Sequence, residues 1–199
     1  MIERYFLMRH GASESNVAGK VQGTKDVALA VLGKQQATEA GDALRNAGIT
    51  KIYTSPLQRA LETGLIVGER LGLQISIIHD FRARALGEWE GKPRSEIKEM
   101  WADLTHPFRS DPDFAPPGGE SLREAEERIF AATDRILQQG SPQEVPLLVM
   151  HMIGTGALLH RLQSERISFK NAEVWKVQPS TRQAQSVVVP SGEFFSGQE

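Results

Sequence analysis

The chain has 199 residues, 40% of them hydrophobic and 24% charged, with a formal net charge of −2 at pH 7. That length suits one domain with a substantial core, the composition excludes a disordered or fibrous chain, and the near-neutral charge excludes a general nucleic-acid or polybasic membrane surface while leaving room for a local phosphate pocket. The absence of cysteine excludes disulfides, thiolate catalysis and zinc ribbons.

The N-terminal apolar run is only Tyr5, Phe6, Leu7 and Met8, which is no signal-peptide pattern, and no segment approaches the roughly 20 apolar residues that span a bilayer. The expectation is a cytoplasmic protein with one domain over 1–199 and neither a nucleic-acid nor a membrane partner. Tyr5–Met8 reads as a strand buried on both faces; Arg9 and His10 stand at its carboxyl end, and Gly11 permits a sharp turn. Residues 18–30 read as a loop bordering the site. From Leu32 to Ala47 the stripe Leu32, Ala40, Ala43, Leu44 and Ala47 predicts a helix stopped by Gly48.

Ile52–Thr54 predicts a strand, followed by a helix with Ser55 as N-cap, Pro56 at its first position, Gln58 bonding back, and Leu57, Leu61, Leu65 and Leu71 along its face. Arg59 then lies in the first turn, where an anion is favoured. Gln74–Ile78 predicts a strand. A lid-like insertion spans about 92–117, with a short helix around Arg94–Leu104; Trp101, Phe108 and Phe114 either line a substrate entrance or pack the insertion onto the body. Ser121 and Glu124 form a capping box for a helix carrying Leu122, Ala125, Ile129, Ala132 and Ile136 on one face. Pro146–Met150 repeats the opening pattern, an apolar strand that ends at a histidine, His151. A helix over Ile153–Leu162 and strands over Val174–Val177 and Ala184–Val189 complete the body, and the tail from Ser191 reads as loosely held. Strands alternating with helices predict an α/β fold, a three-layer α/β/α sandwich with a mostly parallel central sheet.

In such a fold the carboxyl ends of the strands share one edge, so Arg9, His10, Arg59, His151 and Glu120 can converge. The blocks L-M-R-H-G-A-S-E-S-N, T-S-P-L-Q-R-A-L-E-T, G-E-W-E-G and P-G-G-E-S-L-R-E, followed by V-M-H, resemble the histidine phosphatase superfamily in its phosphoglycerate mutase-like branch. The resemblance implies phosphoryl transfer through a phosphohistidine. His10 would be the nucleophile, Arg9 and Arg59 the phosphate clamps, and His151 the second histidine of the catalytic pocket. Ser13 and Asn16 match polar positions of the first block and are candidate phosphate or substrate contacts. Glu120 is a candidate orienter, and Ser121 chiefly a cap. The partner implied is a phosphorylated small molecule or phosphoprotein; no cofactor or metal is called for, and nothing specifies an oligomeric state. Physically, a phosphate monoester carries close to two negative charges, which Arg9, Arg59 and a protonated His151 would balance while His10 attacks as neutral imidazole.

Two departures stand out. The position at which the family usually carries a glutamate that protonates the leaving oxygen is Ala83, and Met152 and Ile153 occupy usual glycine positions, Met152 adding bulk beside the phosphate pocket. Glu88, Glu90, His79 and Asp80 are near Ala83 in sequence, with surface or structural roles the more frequent alternative. The leading reading is a phosphomonoesterase that favours good leaving groups. The alternative is a degenerate phosphatase that binds a phosphorylated ligand without efficient turnover, with a mutase less favoured. A metal hydrolase is disfavoured because His10, His79, His106, His151 and His160 form no H-x-x-x-H pair.

Overall fold

The computed structural model describes residues 1–100, 103, 104, 108, 110–163, 167 and 169–191. Trp101, His106 and the tail beyond Ser191, on which sequence expectations fell, lie outside these residues. A six-stranded sheet runs in the order β3-β2-β4-β1-β5-β6, formed by β1 (Tyr5–Arg9), β2 (Lys51–Thr54), β3 (Ile75–Ile77), β4 (Pro146–Met150), β5 (Val174–Gln178) and β6 (Gln183–Val188). The helices are α1 (Glu14–Val17), α2 (Val31–Ala43), α3 (Gln58–Leu71), α4 (Arg94–Met100), α5 (Leu122–Gln139) and α6 (Met152–Gln163).

Every residue of β1 and β4 is buried, which is why both read as unbroken apolar runs rather than alternating ones. Their side chains divide between two cores. Tyr5, Leu7, Leu148 and Met150 point to the side covered by Ile129 and Ala132 of α5 and Leu158 and Leu159 of α6. Phe6, Met8, Leu147 and Val149 point to the other side, against Ala40 of α2 and Ala60 and Val67 of α3. Full burial of each Leu, Met or Phe contributes about 1.5–3 kcal/mol, so the central strand pair is the most heavily stabilised part of the sheet. The layered α/β arrangement is the one expected from the sequence. The parallel pairing is confined to β1–β4, β4–β2 and β2–β3, whereas β5 runs antiparallel to β1 and β6 to β5. The sheet is therefore mixed.

Strand order explains where a site forms. From β1 the chain moves outward to β2 and β3 with α2 and α3 on one face, then returns to insert β4 between β2 and β1, and a right-handed return places α5 on the opposite face. The helices that follow β1 and β4 thus diverge to opposite faces and leave a crevice at the carboxyl ends of these neighbouring strands.

Three local expectations are corrected. Helix α3 begins at Gln58 with Leu57 as a cap that makes no side-chain hydrogen bond, and Gln58 N–H donates to Asp26 Oδ1 at 2.6 Å. Ser55 thus sits before the helix, at the end of β2. The buried face of α3 is also not the leucine stripe: Leu65 is 52% exposed, and Ala60, Thr63, Gly64, Val67 and Gly68 face inward. Likewise α2 buries Gly33, Gln36, Ala37, Ala40 and Gly41, while Ala43 is exposed. Small residues let these helices approach each other and the sheet closely. A Cβ on Gly64 would lie 3.3 Å from Thr54 Cβ of β2, and one on Gly68 would lie 2.7 Å from the carbonyl oxygen of Leu73 in the turn that closes α3.

Gly68→Ala tests whether this close approach outweighs helix propensity. Propensity alone favours Ala by about 1 kcal/mol, while overpacking against fixed backbone costs about 1–3 kcal/mol. Urea unfolding is expected to show net destabilisation; a stabilised variant would mean that the turn at Leu73 gives way.

Candidate active site

His10 and His151 follow directly on β1 and β4, which pair in parallel with Arg9 opposite Met150, so strand register places both imidazoles at the same edge. Their ring centroids are 5.2 Å apart with planes inclined at 57°, and both residues are buried. His10 Nδ1 lies 2.7 Å from the Gly11 carbonyl oxygen. Because a carbonyl only accepts, Nδ1 carries the proton in the neutral ring and Nε2 presents its lone pair. On His151 the contact is reversed: Nε2 meets Ser55 Oγ at 2.8 Å, and the buried Nδ1 makes no hydrogen bond among the described residues.

Two guanidinium groups are held beside the imidazoles by main-chain carbonyls. Arg9, 2% exposed, donates from Nη1 to Phe169 O at 2.6 Å. Arg59, 1% exposed in the first turn of α3, donates from Nη2 to Gly23 O at 2.7 Å and from Nη1 to Lys25 O at 3.0 Å. The loop over 18–30 therefore does border the site, by orienting Arg59. Thr63 ties the two motifs together: its Oγ1 donates to Arg59 O at 2.7 Å and accepts from Gly11 N–H at 3.1 Å.

The electrostatics follow from this packing. Burial, then the charges of Arg59 and Arg9, hold the His10 imidazole well below the usual histidine pKa, outweighing the Gly11 hydrogen bond. Burial, Arg59, His10, Arg9 and Arg128 do the same to His151. Both rings are thus neutral at pH 7 in the free protein.

The remaining expected positions divide. Ser13 caps α1 and binds Gln22 Oε1 at 2.6 Å, so its hydroxyl is engaged structurally. Asn16 Oδ1 accepts from Ser13 N–H and lies 3.4 Å from Asn171 Nδ2, which leaves the Asn16 amide nitrogen as the donor available to a ligand. Glu120 is gripped by Arg128 through Nε at 2.7 Å and Nη2 at 2.8 Å, and accepts from Ala85 N–H. Burial pushes its carboxyl up, but the Arg128 hydrogen bonds and charge, Ala85 and Arg82 outweigh this and hold it below the ordinary glutamate range. Met152 opens α6 and, with Leu122, Ile153 and Ile167, walls a shallow cleft beyond His151.

At the Ala83 position the backbone is held firmly although the side chain lacks a carboxyl. Arg128 donates to the carbonyls of Asp80, Arg82 and Ala83 at 2.7, 2.8 and 2.9 Å. Of the neighbouring groups, Glu88 and His79 are exposed, Asp80 lies 3.5 Å from Arg82, and Glu90 accepts from Thr24 and from Leu86 N–H. The insertion packs onto the body here: Phe108 meets Trp89 at 5.0 Å and the Arg84 guanidinium at 4.5 Å, while Arg84 holds the carbonyls of Glu120 and Phe114. Sequence reasoning missed Ser55, Thr63, Arg128 and Asn171 as part of this network. Ser55 and Thr63 carried a signal, as the second and final residues of the T-S-P-L-Q-R-A-L-E-T block.

Two neutral imidazoles between two guanidinium groups, in the crevice of an α/β sheet, form the class of site that can receive a phosphoryl group. In keeping with that chemistry, the chain belongs to the histidine phosphatase superfamily (branch 1), whose family model matches residues 5–189. It is 32% identical over 138 residues to a glucosyl-3-phosphoglycerate phosphatase of Mycolicibacterium vanbaalenii, covering 69% of this chain and 61% of that protein. It is also 32% identical over 185 residues to the probable phosphoglycerate mutase GpmB of Salmonella typhi, covering 86% and 83%. Among solved structures, a mycobacterial glucosyl-3-phosphoglycerate phosphatase complexed with VO3 superimposes with a TM-score of 0.84 at 26% identity, covering 96% of this chain and all of that one. Among the described residues, no helix is long and apolar enough to cross a membrane.

The depressed histidines set a pH dependence of stability. The unfolded chain protonates both near pH 6.5, whereas the folded chain resists until lower pH, so between these limits the unfolded state binds more protons. Stability is full above pH 6.5 and falls as pH drops toward the folded-state values, by up to about 1.4 kcal/mol per pH unit for each histidine. Urea unfolding of the parent and of His10→Asn between pH 7.5 and 5 is expected to show a shallower decline in the variant; equal slopes would contradict the buried neutral ring.

Proposed function

We propose that the protein is a phosphomonoesterase acting through a phosphohistidine on His10, with a preference for substrates whose leaving group departs without a proton. The observation that carries this is the His10 Nδ1 contact to Gly11 O beside Arg9 and Arg59, since it aims an unprotonated Nε2 from a ring kept neutral. In the reaction Nε2 would attack phosphorus, the bond from phosphorus to the leaving oxygen would break with its electron pair on that oxygen, and water would later release phosphate from the imidazole. Arg9 and Arg59 would take the non-bridging oxygens through paired N–H donors. Ser55 accepts from Leu57 N–H, so its own proton is free to point at His151 Nε2, which makes His151 Nδ1–H a donor toward the phosphoryl group. Binding a dianion would also favour protonation of His151, restoring the positive charge it lacks in the free protein.

The insertion over 92–117 would act as the lid of this site and carry specificity. The substrate class is a phosphorylated small molecule, in line with the relatives' named substrates. The alcohol-type ester of glucosyl-3-phosphoglycerate itself fits poorly, because with Ala83 no carboxylic acid meets the leaving oxygen, and general acid catalysis contributes about 10²- to 10⁴-fold. Ala83 equally favours a second reading, a degenerate phosphatase that captures a phosphorylated ligand or phosphoprotein without efficient turnover. The position also weighs against mutase action, in which an alkoxide must leave.

A series of phosphate esters of graded leaving-group pKa separates these readings. Phosphatase rates are expected to fall steeply as that pKa rises, and Ala83→Glu is expected to raise the rate on alkyl phosphates by about 10-fold or more. A flat series would refute the missing acid, and saturable binding without hydrolysis of any ester would favour the degenerate reading.

A further inference from the structure

The geometry points to Asn171 as a positioning residue that keeps His10 in its attacking tautomer by clamping the His10–Gly11 peptide. This inference rests on the reading of His10 as the attacking group.

The turn over 169–173 lies between α6 and β5 and bonds to the opening motif at five places. Phe169 O accepts from the Arg9 guanidinium, and Glu173 O accepts from Arg9 N–H at 3.3 Å. His10 O accepts from both Ala172 N–H at 3.2 Å and Asn171 Nδ2 at 3.1 Å. Asn171 is 3% exposed, and its amide also lies 3.4 Å from Asn16 Oδ1, so one side chain ties the nucleophile's main chain to the N-terminal turn of α1.

These contacts act through a short covalent path. The His10 carbonyl and the Gly11 N–H belong to one rigid peptide plane. Asn171 and Ala172 hold its oxygen, and Thr63 Oγ1 holds its N–H. That plane anchors one side of Gly11, whose backbone dihedrals then direct its own carbonyl to His10 Nδ1, the contact that decides which ring nitrogen keeps the proton. Gly11 cannot relax the arrangement by moving outward, because its Cα already lies against α2: a Cβ there would be 2.4 Å from Gly33 O.

The turn itself is built to hold this shape. Ala172 is buried in the left-handed region at φ 55°, a conformation unfavourable for a residue with a side chain and kept only where surrounding contacts enforce it. Glu173 supplies those contacts: its carboxylate accepts from Lys170 N–H at 2.8 Å, Trp175 Nε1–H at 2.8 Å and Ser186 Oγ at 2.9 Å, closing the turn on itself and onto β5 and β6.

Asn171→Asp tests the idea, since it preserves shape while replacing the donor by an acceptor that faces two oxygens. Two readouts are needed: the ring ¹⁵N shifts of His10 by NMR, which require no turnover, and single-turnover hydrolysis of p-nitrophenyl phosphate. The parent is expected to show His10 protonated on Nδ1 alone. In Asn171→Asp the shifts should move toward a mixture of tautomers, and the chemical step should slow by about 10- to 100-fold with little change in KM. Asn171→Ala is read in the same way if Asn171→Asp does not fold. An unchanged tautomer in a folded variant overturns the inference whatever the rate does. A parent that shows the Nδ1–H tautomer but hydrolyses nothing contradicts the proposed phosphatase and leaves the positioning role standing on the NMR result.

Discussion

The 2.7 Å contact from His10 Nδ1 to the Gly11 carbonyl is the interaction on which the rest of the site depends. A histidine at the end of a buried strand, next to two arginines, has every electrostatic reason to stay neutral, but neutrality alone does not say which nitrogen bears the lone pair. The local hydrogen bond settles that, and much of the surrounding structure serves to keep the Gly11 carbonyl where it is. Thr63 reaches in from α3, Gln36 of α2 accepts from Ala12 N–H, and the turn at Asn171 closes from the β5 side. Two helices and the turn before β5 therefore converge on the two peptides that flank Gly11, which is possible because β1 and β4 lie where the chain reverses its direction of travel across the sheet.

The surroundings of Ala83 show the same principle with a different outcome. Arg128 fastens the carbonyls of three residues in the 80–83 stretch and binds Glu120, while the 85–88 and 117–120 segments join through Glu120 N–H to Ala85 O and Glu88 N–H to Pro117 O. Gly87 fits because a Cβ there would be 2.1 Å from Pro117 O. The backbone of the 80–83 stretch is thus held firmly, and the side chain it carries at position 83 is a methyl group. The proposed function takes its particular form from pairing His10, Arg9 and Arg59 as the phosphate-receiving half with a leaving-group half that would lack its acid.

Much of this was legible in the sequence because the signals were strong and local. Unbroken apolar runs ending in Arg9-His10 and in His151 marked the two central strands and the edge they share, and the Ser121–Glu124 capping box marked the start of α5. What stayed hidden depended on tertiary packing. Ser55 looked like a helix cap, yet helix α3 starts three residues later and the hydroxyl turns to His151. The leucines of α3 suggested its buried face, but the close approach to β2 demanded Gly64 and the turn at Leu73 demanded Gly68. Arg128 and Asn171 bind main-chain carbonyls 45 or more residues distant in sequence, and no spacing rule reports such a contact.

The most direct measurement is to quench the protein with acid and with base during turnover of a ³²P-labelled aryl phosphate, and to locate the label. Transient label that survives base, is lost in acid, maps to His10 and is absent from His10→Ala is the expected result. Hydrolysis that proceeds without such label, or label that persists in His10→Ala, would contradict a phosphohistidine at the end of β1.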